Sequence, residues 1–269
     1  MTHPSQAKTQ VTLTFDFDAE SLWMSLGRTS PQPMSRGTYG AQVGIDRILA
    51  LLEREAIRAT FFVPGETARR HPDKLRAIVD GGHEIGHHGD VHEAPTKLSL
   101  DEERAAFSRG MDALFDAAKV RPVGYRSPAW DFSENTLNLL KEFDFQWDSS
   151  LMADDFRLYE LEGPEKQKSG IIELPVSYEL DDAPYYLFLF SPVYMTGMSD
   201  PEKVLRIWER EYEGAAAVSG LFNLTMHPQI TGRYSRIKVL EGLIKTIKDS
   251  GQAEFVTCSD AVATLEARK

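Results

Sequence analysis

Two aspartates stand two positions apart in Thr14-Phe15-Asp16-Phe17-Asp18, and three of the chain's seven histidines fall within six positions in Gly86-His87-His88-Gly89-Asp90-Val91-His92. Residues two apart on an extended chain point to the same side, so Asp16 and Asp18 can face one cavity. Two carboxylates in one apolar pocket repel unless a cation or a proton lies between them. The plain alternative is a strand end running into a turn, where Asp is common. His88 and His92 have the four-residue separation that often lets two imidazoles reach one metal, and Asp18 offers a carboxylate to complete the set. Gly89 between them speaks against the helical His-Glu-x-x-His of metalloproteases. The alternative is a polar loop with histidines clustered by chance. A third group is Tyr125-Arg126-Ser127-Pro128-Ala129-Trp130, where Arg126 can hold a carboxylate and Trp130 can wall a pocket. Both could equally be structural, an ion-pair partner and a core aromatic. The fourth is a lone histidine, His227, in Leu224-Thr225-Met226-His227-Pro228.

The elements around these groups alternate. Strands are expected at Val11 to Phe17, Ala59 to Val63, His83 to His87, Val123 to Tyr125, Phe145 to Trp147, Ile171 to Val176, Leu221 to Met226 and Glu254 to Val256. Helices are expected at Gly44 to Glu55, Pro72 to Val79, Ser133 to Phe143, Pro201 to Val218, Ser235 to Lys248 and Ser259 to Ala267. Another begins at Ser99, with Glu102 forming a capping box, and runs to Ala118. This β-α succession predicts a mainly parallel sheet covered by helices, and about eight strands in such a length favour a (β/α) barrel. The four groups then lie at C-terminal strand ends, where chemistry collects in such folds. A tail at 1–10 and one domain at 11–269 are expected.

Composition narrows the class. The chain has 269 residues, 42% of them hydrophobic, enough to fill a core. A net charge of −11 and the lack of a Lys/Arg run disfavour nucleic acid as a partner. One cysteine excludes an internal disulfide and a Cys-based zinc finger, and fits a reducing compartment. No secretory segment is read at the start, and the apolar stretch Ala183 to Ser199 is broken by Pro184, Pro192 and Gly197. A cytoplasmic protein that does not enter a membrane is the expectation.

The ordered set Asp16/Asp18, His88-x-x-x-His92, Arg126-Ser-Pro-Ala-Trp130 and Met-His227-Pro228 resembles the motifs of the polysaccharide deacetylase family, carbohydrate esterase family 4. The resemblance runs from about Val11 to Leu265. It implies an α/β fold, a deformed (β/α) barrel, and metal-assisted hydrolysis of an amide. By the same resemblance Asp18, His88 and His92 hold one divalent metal, zinc first, with Co²⁺, Ni²⁺ or Mn²⁺ as alternatives. Asp16 is the general base, Arg126 orients it, and His227 protonates the leaving nitrogen. Many members have adjacent aspartates followed by Gly, whereas here Phe17 separates them and Ala19-Glu20-Ser21 follows. That form is similar to a sub-branch containing cyclic imide hydrolases, allantoinase-like enzymes and a proposed peptidoglycan deacetylase, and it implies a homo-oligomer, a tetramer in relatives. The two-His, one-carboxylate set also describes non-haem iron oxygenases, which give no role to Asp16 and His227. A non-catalytic binding protein on a decayed scaffold is a further class, and the five core residues show no decay.

A small amide or imide is the expected substrate, with an N-acetylated glycan as alternative. The segment Ser21 to Gly40, with Trp23 and Tyr39, could close over a compact ligand, and Trp130 could line its site. Tyr185 to Met198 is too apolar for a freely solvated loop, which leaves a buried strand and turn or a subunit contact. His83 and His87 read as supporting residues, and Asp181 and Asp182 receive no role.

Overall fold

The computed structural model describes residues 7–189 and 195–267. The first six residues of the expected tail and the middle of the apolar Tyr185 to Met198 stretch lie outside them.

Alternation within the first strand sets the architecture. In β1 (Thr9–Asp16) Val11, Leu13 and Phe15 face an outer layer with Ile48, Leu52, Leu240 and Leu243, and all are buried. The opposite face carries Thr12, Thr14 and Asp16, also buried. This second face looks into a polar interior, where the Thr12 hydroxyl donates to Asn223 Oδ1 at 2.9 Å and that of Thr14 to the Leu224 carbonyl at 2.8 Å. A strand with both faces buried needs partners for every polar group it turns inward, and the neighbouring strands supply them.

The other strands are β2 (Thr60–Val63), β3 (Glu84–His87), β4 (Gly124–Tyr125), β5 (Trp147–Asp148), β6 (Tyr159–Glu162), β7 (Lys168–Glu173), β8 (Leu221–Met226) and β9 (Ala253–Phe255). They form one sheet in the order β6-β7-β5-β4-β3-β2-β1-β8, parallel except for the β6–β7 pair. β9 pairs with the N-terminal end of β1 at Thr9 to Val11, and β2 with its C-terminal end at Thr14 to Asp16. The gap between β7 and β8 is spanned by side chain and bridge rather than by a ladder. The Asn223 amide donates to the Pro175 carbonyl at 3.0 Å and to Ser149 Oγ at 3.1 Å, and Asp181 bridges Thr225. The result is a deformed (β/α) barrel.

Each expected helix and strand is present with ends moved by a few residues, and β1 starts at Thr9, inside the expected tail. The capping box at Ser99 forms, with the Ser99 amide donating to Glu102 Oε2 at 2.8 Å, and it opens the Leu100–Ala118 helix. Several elements were not anticipated, among them the short helices Gly65–Arg70, Ala183–Tyr186 and Pro228–Thr231. β6 is one: its Tyr-Glu-Leu-Glu sequence is half exposed, so it lacks the apolar run of a buried strand. The Ser21 to Gly40 segment is a further case. It is two helices, Ser21–Ser25 and Pro31–Tyr39, the second continuing through a π-helical turn at Gly40–Gly44 into Ile45–Glu55. Gly37 permits this, since a Cβ there would stand 2.4 Å from the Ala19 carbonyl oxygen. The single cysteine, Cys258, is buried at the start of the last helix, its amide donating to Thr60 Oγ1 at 3.0 Å. Among the described residues no helix is long and apolar enough to cross a membrane.

Candidate active site

Six side chains from four strand ends, those of β1, β3, β4 and β8, meet around one point. Asp16 ends β1 and Asp18 follows it, with Phe17 turned into the apolar layer between them. The carbonyl of Asp18 accepts from the hydroxyls of Ser21 and Thr67, each at 2.6 Å, which fixes the turn after the strand. His88 follows β3, and His92 lies four residues on, past Gly89, whose φ of +71° turns the chain back. Asp18 Oδ1 lies 3.6 Å from His88 Nε2 and 3.7 Å from His92 Nε2. The three ligand atoms lie within 4.8 Å of one another. His88 Nδ1 donates to the Arg126 carbonyl at 2.7 Å, so Nε2 carries the lone pair. Both His88 Nε2 and Asp18 Oδ1 are buried without a hydrogen-bond partner. Burial pushes both histidines down to about 4, so they are neutral donors at pH 7, while burial lifts Asp18 to about 6 against the pull of His227 and His88. Unpartnered buried atoms of this kind and a neutral His, His, carboxylate set fit a divalent cation.

Asp16 is held differently. The fully buried Arg126 donates from Nη1 to Asp16 Oδ1 at 2.8 Å and to Thr14 Oγ1 at 2.9 Å. It also donates from Nε to the Ser149 carbonyl at 2.9 Å and from Nη2 to Ser149 Oγ at 2.8 Å, with its guanidinium 4.0 Å above the Phe62 ring. Burial opposes the Asp16 charge, but Arg126, His88 and His227 together outweigh it and hold the carboxyl below its ordinary range. Asp16 is therefore an ionised acceptor whose second oxygen, Oδ2, remains 3.8 Å from His88 Nε2 and 4.0 Å from His227 Nε2.

His227 is aimed by Asp182, which the sequence left without a role. Nδ1 bonds Asp182 Oδ1 at 2.7 Å, and Asp182 Oδ2 accepts from the His227 amide at 2.9 Å and from Thr231 at 2.6 Å. Burial disfavours the imidazolium, yet Asp182, Asp181 and Asp18 raise its pKa well above 6.5. Nε2 thus carries a proton toward Asp16 and Asp18. The two aspartates set directly before the apolar stretch that starts at Ala183 were the available signal, because a buried charge requires a partner.

The site opens into a cavity of about 300 Å³ lined by Leu22, Trp130, Tyr178, Asp181, Leu187, Met195 and Ile230 besides Asp16, Asp18, His92 and His227. Trp130 is where the sequence reading places it. Trp23 and Tyr39 are not. Trp23 is fully buried on the inner side of its helix under the Arg36 guanidinium, and its neighbour Leu22 takes the wall. Tyr39 is engaged through its hydroxyl with the Gly232 carbonyl at 3.1 Å and with Arg47 at 2.9 Å. The apolar stretch after Ala183 is pocket wall through Leu187 and Met195. His83 and His87 are structural: His83 Nδ1 accepts from the Ala59 amide, and His87 donates to the Phe107 carbonyl. Four non-glycine residues with left-handed backbone border the site: Ala19 (φ 48°), His92 (61°), Ala129 (55°) and Trp130 (56°). Each costs roughly 1–3 kcal/mol, which the surrounding packing must offset.

Behind Arg126 lies a second buried acidic pair. Asp148 and Glu173 are register partners on β5 and β7. Glu173 Oε1 accepts from the amides of Ser150 and Leu151, each at 2.8 Å, and Asp148 Oδ1 accepts from the Ser150 hydroxyl at 2.8 Å. The other oxygens, Asp148 Oδ2 and Glu173 Oε2, are buried with no donor. A shared proton is the remaining way to pair them, and burial raises both acids, Asp148 to about 6 and Glu173 well above its ordinary value. Raised folded-state values mean stability that is full below the ordinary carboxylate range and lost as pH climbs through the folded values. Glu173→Gln, which keeps the Oε1 acceptor and gives Asp148 an N–H, should flatten that decline and cost under ~1 kcal/mol. Glu173→Ala strands two amides and should cost ~1–3 kcal/mol. Urea unfolding of the three proteins across pH checks both.

The polysaccharide deacetylase family profile matches residues 4–147. A peptidoglycan deacetylase of Helicobacter pylori is 28% identical over 91% of this chain and 92% of its own length. A Mycobacterium smegmatis crystal structure, provisionally assigned as a polysaccharide deacetylase, is 36% identical with a TM-score of 0.90, covering 99% of this chain and 93% of that one. The PuuE allantoinase structure shares the fold at a TM-score of 0.82 and 21% identity, covering 98% and 92%. With these likenesses spanning the barrel and every strand end that builds the site, the chain belongs to the polysaccharide deacetylase family, carbohydrate esterase family 4.

Proposed function

We propose that the protein hydrolyses a non-peptide carbon–nitrogen bond in a compact molecule, with cyclic imides, ureides and lactams ahead of N-acetylated glycans. The observation that carries this reading is the cavity of about 300 Å³, whose wall is largely apolar around a cluster of ionised and neutral polar groups. A flat ring fills such a space, while a glycan chain calls for an open groove.

Asp18, His88 and His92 would hold the divalent cation, zinc first. When bound it supplies a Lewis acid that polarises the substrate carbonyl and makes a water acidic enough to attack near neutrality. Asp16 Oδ2 takes the water's proton, since Oδ1 is committed to Arg126 and the carboxyl is ionised. His227, charged and aligned by Asp182, gives its Nε2 proton to the departing nitrogen, which would otherwise leave as a poor anion. Trp130 and Tyr178, with ring centroids 5.4 Å apart, form one wall against which a planar substrate can lie.

Asp16→Asn should retain the cation and lose hydrolysis by ~100-fold or more, because the amide fills the space but accepts no proton. Elemental analysis beside the activity assay reads both, and loss of the cation instead would make Asp16 a ligand. The substrate class is tested with succinimide, glutarimide, dihydrouracil, allantoin and N-acetylglucosamine oligomers. Turnover of a ring compound is expected. A second reading, N-deacetylation of a cell-wall glycan, is favoured by the near full-length likeness to the Helicobacter pylori peptidoglycan deacetylase. Turnover of the oligomers with none of the rings would select it.

A further inference from the structure

Three arginines gather beside the segments that line the cavity, and among the described residues none of them forms an ion pair with a carboxylate. Arg36 and Arg233 come from the Pro31–Tyr39 helix and the start of the Tyr234–Ser250 helix, and Arg236 lies one turn further along the latter. Arg233 lies over the Tyr39 ring at 3.4 Å, and Tyr39 is one helical turn from Arg36, so the two helices bring these side chains to one place. Arg36 lies over Trp23 at 4.5 Å and donates to the Phe188 carbonyl at 2.9 Å. Arg236 lies over Tyr186 at 4.7 Å. Tyr186 and Phe188 flank Leu187, which lines the cavity, and Ile230, another lining residue, is three positions before Arg233.

This concentration is unusual in a chain of net charge −11. Burial lowers the Arg36 pKa, and the charges of Arg233, Arg28 and Arg236 lower it further, which places these cations in one another's field. Asp182 draws on Arg236 from a distance, but both its oxygens are already bonded to His227 and Thr231. Mutual repulsion held against aromatic faces stabilises an anion placed between the guanidiniums, and planar guanidiniums suit a carboxylate.

We propose that Arg36, Arg233 and Arg236 form an anion-binding collar at the cavity mouth, which takes a carboxylate carried by the substrate away from its scissile carbon–nitrogen bond. This rests on the hydrolase reading above and narrows its substrate class to acids. A carboxylated ring and a carboxylated sugar share the required chemistry, so the test uses matched pairs of each: hydantoin with 5-carboxymethylhydantoin, dihydrouracil with dihydroorotate, and N-acetylglucosamine with N-acetylmuramic acid.

The acid of the pair that is turned over should have a KM about tenfold below its neutral partner, with the preference shrinking as salt rises. In Arg233→Gln/Arg236→Gln the preference should collapse toward one, and Arg233→Lys should restore part of it. Independently of turnover, succinate titrated into the purified full-length chain should shift the arginine Nε–Hε resonances of Arg36, Arg233 and Arg236, and the double variant should bind it at least tenfold more weakly. Succinate binding that leaves those resonances unmoved, or that survives the double substitution, overturns the collar. Hydrolysis of a pair without preference for the acid also overturns it and leaves the hydrolase reading standing. Succinate held by the collar with none of the six compounds hydrolysed supports the collar and counts against the hydrolase reading.

Discussion

Replacing His88 by alanine is expected to remove the tightly held divalent cation and the hydrolytic activity together. The ring is anchored by its Nδ1 bond to the Arg126 carbonyl, with Nε2 fully buried and facing Asp18 Oδ1 at 3.6 Å. Among the described residues the nearby oxygens are otherwise committed: Asp16 Oδ2, 3.8 Å from His88 Nε2, belongs to a carboxyl held by Arg126, and Gln229, which donates to Asp18 Oδ2 at 3.3 Å, approaches from the other carboxylate oxygen. Two ligands hold a cation poorly, so affinity should fall by more than the ~100-fold that losing a mere supporting partner costs. Elemental analysis after reconstitution with zinc, cobalt or nickel measures it. A full complement of metal in the variant would move the site elsewhere. Stripping the wild type with a chelator should abolish activity in the same way, and zinc should restore it.

The second large effect is expected at Arg126. Its guanidinium is fully buried and serves Asp16, Thr14 and Ser149 at once. Arg126→Ala leaves Asp16 as a buried carboxylate without its cation and the Ser149 carbonyl without its donor, for a cost of about 3–5 kcal/mol. Activity should fall as well, because Asp16 loses the bond that turns Oδ2 toward the reacting centre. Arg126→Lys keeps the charge but can satisfy at most three acceptors from a single nitrogen, so stability should recover only in part. Urea unfolding beside the activity assay separates the two losses. Unchanged stability in the alanine variant would mean that water reaches Asp16 and the pair is not a buried one.

The strand ends were legible because they combine two signals that do not depend on the rest of the chain. β1 shows its two faces as Val-Leu-Phe against Thr-Thr-Asp, and His88 and His92 share a spacing suited to one ligand. Asp182 was not legible, since its partner His227 lies 45 residues away and only closure of the barrel joins them. Trp23 and Leu22 are adjacent on a five-residue helix, too short for periodicity to say which faces the cavity. The Pro31–Tyr39 helix was hidden by its prolines and glycine. Pro31 and Pro33 sit in its first turn, where a missing N–H costs nothing, and Gly37 is fixed by the Ala19 backbone against it. Such residues read as loop unless tertiary contact is known.

The lone cysteine gives the molecule a built-in clock for its own opening. Cys258 is buried where the last helix meets β2, and burial lifts its thiol above the ordinary range, so the reactive thiolate is scarce in the native state. A thiol reagent must wait until that helix lifts from the barrel. With no second cysteine in the sequence, every labelling event reports the same departure. The labelling rate, followed while metal or substrate is added, therefore reads how far occupation of the C-terminal strand ends tightens the helix held at the N-terminal end of β2, without any engineered probe.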